Sequence, residues 1–99
     1  MVRSTQDILQ ALRDEGDALR RLGVERLALF GSGARGQLRE GSDLDILVEL
    51  RPKTFDTYMD VKEFLESRFS CCVDLVLVSA LKPAIKAEIL REAVDAPLS

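Results

Sequence analysis

The sequence contains no histidine, and its two cysteines, Cys71 and Cys72, are adjacent. Zinc is bound mainly by histidine and cysteine, so the composition disfavours a zinc site. Neighbouring cysteines seldom form a disulfide without strain. The simplest interpretation is a reduced, cytoplasmic setting in which both cysteines serve in packing.

Long apolar runs and an excess of positive charge are also missing. No apolar run approaches the length of a transmembrane helix, and acids interrupt the N-terminal segment where a secretory signal needs an apolar core. The 14 lysines and arginines against 17 aspartates and glutamates give a net charge of -3, which disfavours non-specific attraction to nucleic-acid phosphates. The sequence therefore predicts neither a membrane nor a direct nucleic-acid partner, and a basic partner surface fits its charge better.

Proline and glycine are scarce, at 3 and 6 residues, while 46% of the chain is hydrophobic. This balance excludes an intrinsically disordered chain. With 99 residues and no repeat or linker, we expect one domain over 1–99.

Hydrophobic periodicity predicts alternating helices and strands in this domain. The predicted elements are a helix over Thr5–Leu22, a strand over Val24–Phe30, a short helix after it, a strand over Asp43–Leu50, a helix over Phe55–Phe69, a strand over Cys71–Val78 and a helix beginning at Pro83. Their order indicates an α/β (α+β) fold, a small three-stranded mixed sheet flanked by helices.

Two apolar sets are predicted to pack against this sheet. The aromatic set belongs to the helix before the third strand, and the aliphatic set to one face of the last helix. The two sets are Phe55, Tyr58 and Phe69, and Ile85, Ile89 and Ala93 with Leu90 and Val94 beside them.

The segment "GSGARG", Gly31 to Gly36, follows the first strand and matches the dinucleotide-binding pattern G-x-G-x-x-G. Glu49 even stands near the position of a ribose-binding acid. However, only 12 residues separate Phe30 from Asp43, too few for the helical crossover of a parallel β-α-β unit. The dinucleotide interpretation is therefore disfavoured, and a Walker A loop is excluded because no Gly-Lys-Ser/Thr follows.

The same short interval predicts that the first two strands are antiparallel. The backbone of Gly31 and Ser32 would then lie beside Ser42, Asp43 and Asp45. Glycine lets backbone N–H groups approach a phosphate, and the serine hydroxyl can donate a further hydrogen bond.

Three aspartates are predicted to share one patch. Asp43 and Asp45 project from the same face of a strand, and a full helix before the third strand predicts a parallel crossover that brings Asp74 beside them. Oxygen ligands with open positions suit Mg²⁺, and two such ions are a standard device for phosphoryl transfer. A D-x-D at a strand start can instead be turn and edge chemistry.

Gly31-Ser32, ten residues, Asp43-Leu44-Asp45 and a later strand-borne Asp74 resemble the signature of the DNA polymerase β-like nucleotidyltransferases. The string "FGSGARGQLREGSDLDILVEL" is similar to the minimal nucleotidyltransferase branch. The resemblance implies that the glycine loop holds the triphosphate of ATP and that the three aspartates hold Mg²⁺, with Asp74 as general base or third ligand.

Members of this branch accompany helical HEPN-domain toxins. The resemblance implies an antitoxin that transfers AMP from ATP to a tyrosine of such a toxin, whose chain would complete the acceptor site. Two alternatives remain: neutralisation by complex formation alone, and nucleotidyl transfer to a small molecule such as an aminoglycoside.

Arg35 is expected either to contact phosphate or the partner, or to pair with a nearby acid. Ser42 is expected to line the nucleotide site. The basic residues Lys82, Lys86 and Arg91 form either a solvated face or a partner contact.

Overall fold

A computed structural model describes residues 4–34, 36 and 43–96. Helices and strands alternate along these residues as the periodicity predicts. The elements are α1 (Thr5–Asp14), α2 (Gly16–Leu22), β1 (Val24–Leu29), α3 (Gly31–Ala34), β2 (Leu44–Leu50), α4 (Phe55–Phe69), β3 (Val73–Leu77), a 3-10 turn (Val78–Ala80), α5 (Pro83–Glu92) and β4 (Val94–Ala96).

The N-terminal helical segment consists of two helices, whereas a single helix was predicted. Ser4 caps the first helix as its sequence indicates, because its hydroxyl accepts a hydrogen bond from the backbone N–H of Asp7 at 3.1 Å. The break comes at Glu15, directly before Gly16, a residue with low helix propensity. The second helix ends at Gly23, whose φ of 110° is left-handed.

Within the described residues, the sheet has four strands in the order β3-β2-β1-β4. As predicted, β1 is antiparallel to β2 and β3 is parallel to β2. The fourth strand was not predicted, and the assignment of Val94 to the last helix was wrong. That helix ends at Glu92, and Val94 pairs with Leu29 of β1. Arg26 and Asp95 join the same two strands through an ion pair of 3.0 Å.

One face of the sheet forms the hydrophobic core with α1, α2 and α4. Alternate residues of each strand point into this core because side chains alternate between the two faces of a strand. The core side chains of α1, α2, α4 and β2 are Ile8, Leu12, Leu19, Val61, Leu65, Phe69, Leu44, Ile46, Val48 and Leu50. The opposite face of β2 therefore carries Asp45, Leu47 and Glu49.

Helix α4 also covers the edge of the described sheet at β3. The Tyr58 hydroxyl donates a hydrogen bond to the Leu75 carbonyl oxygen at 2.6 Å, and the Glu66 carboxylate accepts one from the Val73 N–H at 2.9 Å. Tyr58 also packs against the core. These side chains satisfy backbone groups that an edge strand would otherwise expose.

The two predicted apolar sets are only partly buried. Phe69 lies in the core as predicted, but Phe55 is 75% exposed because it opens α4 beyond the core. The predicted burial of the last helix was wrong. None of the described α5 side chains is buried, and Ile85 and Leu90 are exposed.

Among the described residues, we find no helix that is both long and apolar enough to cross a membrane.

Candidate active site

The glycine segment meets β2 because β1 and β2 are antiparallel. Leu29, the last residue of β1, pairs with Ile46, and the next N–H, that of Phe30, donates a hydrogen bond to the Asp45 carbonyl oxygen at 3.2 Å. The chain then enters α3 at Gly31. The backbone of Gly31, at the end of β1, therefore lies beside the start of β2, as the 12-residue interval predicts.

Gly31 lies directly against the side chain of Asp45. Its φ is 65°, in the left-handed region that favours glycine. A Cβ atom built on Gly31 would collide with the Oδ2 atom of Asp45 and lie 3.3 Å from its Cγ. Glycine is therefore required twice, once by the backbone conformation and once by the carboxylate.

Asp45 and Asp74 are opposite each other on neighbouring parallel strands. Both point away from the core, because the residues that flank them, Leu44 and Ile46 on β2 and Val73 and Leu75 on β3, are buried within it. Neighbouring strands lie about 4.8 Å apart, which places the two carboxylates on one small patch. Asp45 is half-buried and Asp74 is exposed.

Asp43 lies directly before β2 and is exposed. The N–H of the next residue, Leu44, donates a hydrogen bond to the Cys72 carbonyl oxygen at 2.9 Å. The residues just before β2 and just before β3, Asp43 and Cys72, therefore lie side by side. Cys71 packs against the core as predicted, whereas the predicted packing of Cys72 is wrong, because its side chain is exposed.

The donor chemistry of this patch suits Mg²⁺, which is commonly held by one or two carboxylates and completes its shell with water and substrate phosphate. Asp45 and Asp74 are the pair that the sheet brings together. In the part of the chain that the structure describes, no group of three or more acidic, cysteine or histidine side chains is arranged to hold a metal ion. The patch thus offers two adjacent carboxylates, Asp45 and Asp74, and Asp43 lies two residues before Asp45 along the chain.

Two of the predicted nucleotide contacts, Arg35 and Ser42, lie outside the described residues. For Ser32 the backbone is described, as part of α3. The structure therefore brings together Gly31, Asp45 and Asp74 from the predicted set.

A groove on the same face of the sheet was not foreseen from the sequence. It has a volume of about 210 Å³ and lies between α5 and the sheet. We call it the α5 groove, and its lining includes Ala28, Leu47, Glu49, Val78, Lys86 and Leu90. The alternation in β2 could have indicated it, because Leu47 is apolar yet shares a face with Asp45.

Comparison with known proteins gives consistent results. The nucleotidyltransferase domain family matches residues 8–96. The protein adenylyltransferase MntA of Thermococcus cleftensis is 40% identical over 75 residues, which cover 75% of this chain and 76% of the relative.

Solved structures agree with this match. One assigned to the minimal nucleotidyltransferases superposes with a TM-score of 0.73 at 37% identity and covers 87% of this chain and 93% of its own. A toxin-antitoxin structure with AMP-PNP superposes with a TM-score of 0.69 at 20% identity, covering 86% and 72% of the two chains. At that identity the second likeness shows the fold alone.

Proposed function

This chain belongs to the nucleotidyltransferase domain family, and on that basis we propose that it transfers AMP from ATP to a tyrosine of a cognate HEPN-type toxin and thereby neutralises it. The observation that carries the proposal is the contact between the Gly31 backbone and the Asp45 carboxylate, with Asp74 opposite Asp45 on the next strand. This contact places a glycine backbone of the kind that binds phosphate next to a pair of carboxylates of the kind that binds a metal ion.

Each part of this arrangement has a proposed role. The backbone at Gly31 and Ser32 holds the triphosphate, and Arg35 and Ser42 add nucleotide contacts. Asp43, Asp45 and Asp74 hold Mg²⁺, which when bound supplies charge neutralisation for the phosphates.

The transfer itself is an in-line displacement. The acceptor hydroxyl oxygen forms a bond to the α-phosphorus of ATP, the bond between that phosphorus and the bridging oxygen breaks, and pyrophosphate leaves. Asp74 is exposed and accepts the hydroxyl proton. Asp45, half-buried against Gly31, fixes the position of the phosphates relative to the attacking oxygen.

The relatives support the partner and the nucleotide. The relative at 40% identity is named a protein adenylyltransferase, and a structure of the same fold is a toxin-antitoxin complex with an ATP analogue. We propose the cytoplasm as the setting, where ATP and a toxin of the cell's own would meet this chain.

Radiolabelled ATP tests the transfer. The chain, Mg²⁺, ATP labelled at the α-phosphate and the proposed HEPN-type partner are mixed, and label on that partner is measured. We expect transfer by the wild type and loss of at least 100-fold in Asp45→Asn. Asp56→Asn, which removes a carboxylate from the exposed start of α4, is the matched control and should transfer normally. Equal transfer by both variants would contradict the assignment.

A toxicity assay separates catalysis from masking by complex formation. Cells that express the toxin should be rescued by the wild type and not by Asp43→Ala/Asp45→Ala. Rescue by that double variant would instead support neutralisation through binding alone.

A further inference from the structure

We propose that Phe30 is a positioning residue for the carboxylate pair. Its ring blocks the side of Asp45 that faces β1, and so keeps that carboxylate at a spacing from Asp74 that a divalent cation can bridge. This inference rests on the proposed function, because it concerns the metal site that the transfer would use. It assigns a role to an aromatic side chain that the transfer chemistry itself does not involve.

Phe30 stands opposite Asp45, on the side away from Asp74. The register of β1 and β2 pairs Leu29 with Ile46, so the next residues in line are Phe30 and Asp45. The Phe30 N–H donates a hydrogen bond to the Asp45 carbonyl oxygen at 3.2 Å, which continues the ladder beyond β1. Because Asp74 pairs with Asp45 from β3, the three residues form one row across the sheet.

The Phe30 ring lies on the same face of the sheet as the two carboxylates. Side chains alternate along a strand, and Leu29, the residue before Phe30, is buried in the core on the opposite face. Phe30 is half-buried, yet it is not among the described side chains that form the core or pack against it. Side chains directly opposite each other on antiparallel strands have Cβ atoms about 4.5–5.5 Å apart, so the ring lies beside the Asp45 carboxylate.

Asp45 needs such a barrier because its neighbour on β3 repels it. Two carboxylates that share a site repel each other, and this repulsion drives the Asp45 carboxylate towards β1. The carboxylate does lean that way, since a Cβ atom on Gly31, at the end of β1, would collide with its Oδ2 atom. Gly31 thus makes room for the carboxylate, and the Phe30 ring limits how far it moves from Asp74.

An aromatic ring suits this task better than a polar side chain would. The ring fills space but offers the carboxylate neither a charge nor a strong hydrogen bond. A lysine or arginine at this position would form a charge-assisted hydrogen bond with Asp45 and would compete with a metal ion for its oxygens. Neighbours that lock the rotamers of site residues hold a productive geometry to within about 0.5 Å. Phe30 therefore restricts Asp45 without competing for it.

The test compares Phe30→Ala, which removes the ring, with Phe30→Leu, which keeps much of its bulk. Phe55→Ala is the matched control, because Phe55 is 75% exposed at the first residue of α4. Three quantities are measured for each variant: the affinity for Mn²⁺ alone by electron paramagnetic resonance, kcat at saturating ATP and Mg²⁺ in the label-transfer assay, and the urea midpoint of unfolding.

We expect Phe30→Ala to weaken Mn²⁺ binding at least 5-fold and to lower kcat at least 10-fold, and Phe30→Leu to recover most of both losses. Phe55→Ala should match the wild type. Normal Mn²⁺ affinity in Phe30→Ala would overturn the proposal even if its urea midpoint fell, because the ring would then serve only the fold. Equal losses in Phe30→Ala and Phe30→Leu would also overturn it, since bulk would not explain them.

Failure of the transfer and failure of the positioning role give different results. If the wild type transfers no AMP yet binds Mn²⁺ more tightly than Phe30→Ala does, the transfer is wrong and the positioning role stands. If the wild type transfers AMP and Phe30→Ala binds Mn²⁺ equally well, the transfer stands and the positioning role is wrong. A wild type that binds no Mn²⁺ would refute the metal site and the role of Phe30 with it.

Discussion

Substitution of Gly31 by alanine is the most direct test of the site. A side chain at this position would strain the backbone, which lowers stability, and would displace the Asp45 carboxylate, which lowers activity. The backbone penalty comes from its φ of 65°. A left-handed conformation costs an alanine roughly 1–2 kcal/mol. For a domain of this size that corresponds to a fall in melting temperature of roughly 4–16 °C.

The second penalty concerns Asp45. The new methyl group would overlap its Oδ2 atom, so the carboxylate must move by about 1 Å. A misplacement of that order costs about 100-fold in rate. We therefore expect Gly31→Ala to reduce AMP transfer about 100-fold at 20 °C, where the variant remains folded.

Gly36→Ala separates the two penalties. Gly36 has a φ of 70°, but a Cβ atom there would lie 3.5 Å from the Thr5 Oγ1 atom, an ordinary contact. This variant should lose a similar amount of thermal stability while transferring AMP at a rate close to wild type. Thermal melts and initial transfer rates are compared for both variants. The reasoning fails if Gly31→Ala stays fully active, or if the two variants lose the same fraction of activity.

Three further predictions concern stability. Tyr58→Phe removes the hydrogen bond to the β3 edge and should cost about 1 kcal/mol in urea unfolding; a gain in stability would contradict the proposed covering of that edge. Gly23→Ala should cost more than about 1 kcal/mol, because its φ is 110° and its Cβ would lie 2.8 Å from the Arg51 carbonyl oxygen; an unchanged urea midpoint would refute this. Asp95→Asn removes an exposed ion pair with Arg26 and should cost less than about 1 kcal/mol, an effect that high salt abolishes; a larger, salt-independent loss would indicate another role for Asp95.

The parts of the fold that the sequence predicted correctly depend on local spacing. The interval between Phe30 and Asp43 is too short for a crossover, so it required antiparallel strands. The helix before β3 is long enough for a crossover, so it allowed the parallel pairing that sets Asp45 opposite Asp74. Both inferences need only the length of a connection.

The predictions were wrong where tertiary contacts, and not the local sequence, determine whether a segment pairs or is buried. A three-residue strand such as β4 has too few residues to show alternation, and it exists because β1 offers an edge. Helical spacing in α5 identified an apolar face but could not reveal that the described fold leaves it exposed. Likewise, Phe55 has the composition of a core residue, and its position at the first residue of α4 keeps it in solvent.

The alternation along β2 links the correct folding of the chain to its chemistry. Leu44, Ile46 and Val48 are buried on one face, and Asp45 lies between them on the other. A slip of one residue between β2 and its neighbours would reverse both faces at once, placing a carboxylate in the core and aliphatic side chains at the patch. Such a molecule would be too unstable to persist, so copies that fold should carry Asp45 beside Gly31 and Asp74. Misregistered copies of the chain would then be lost to degradation and would not accumulate as inactive molecules.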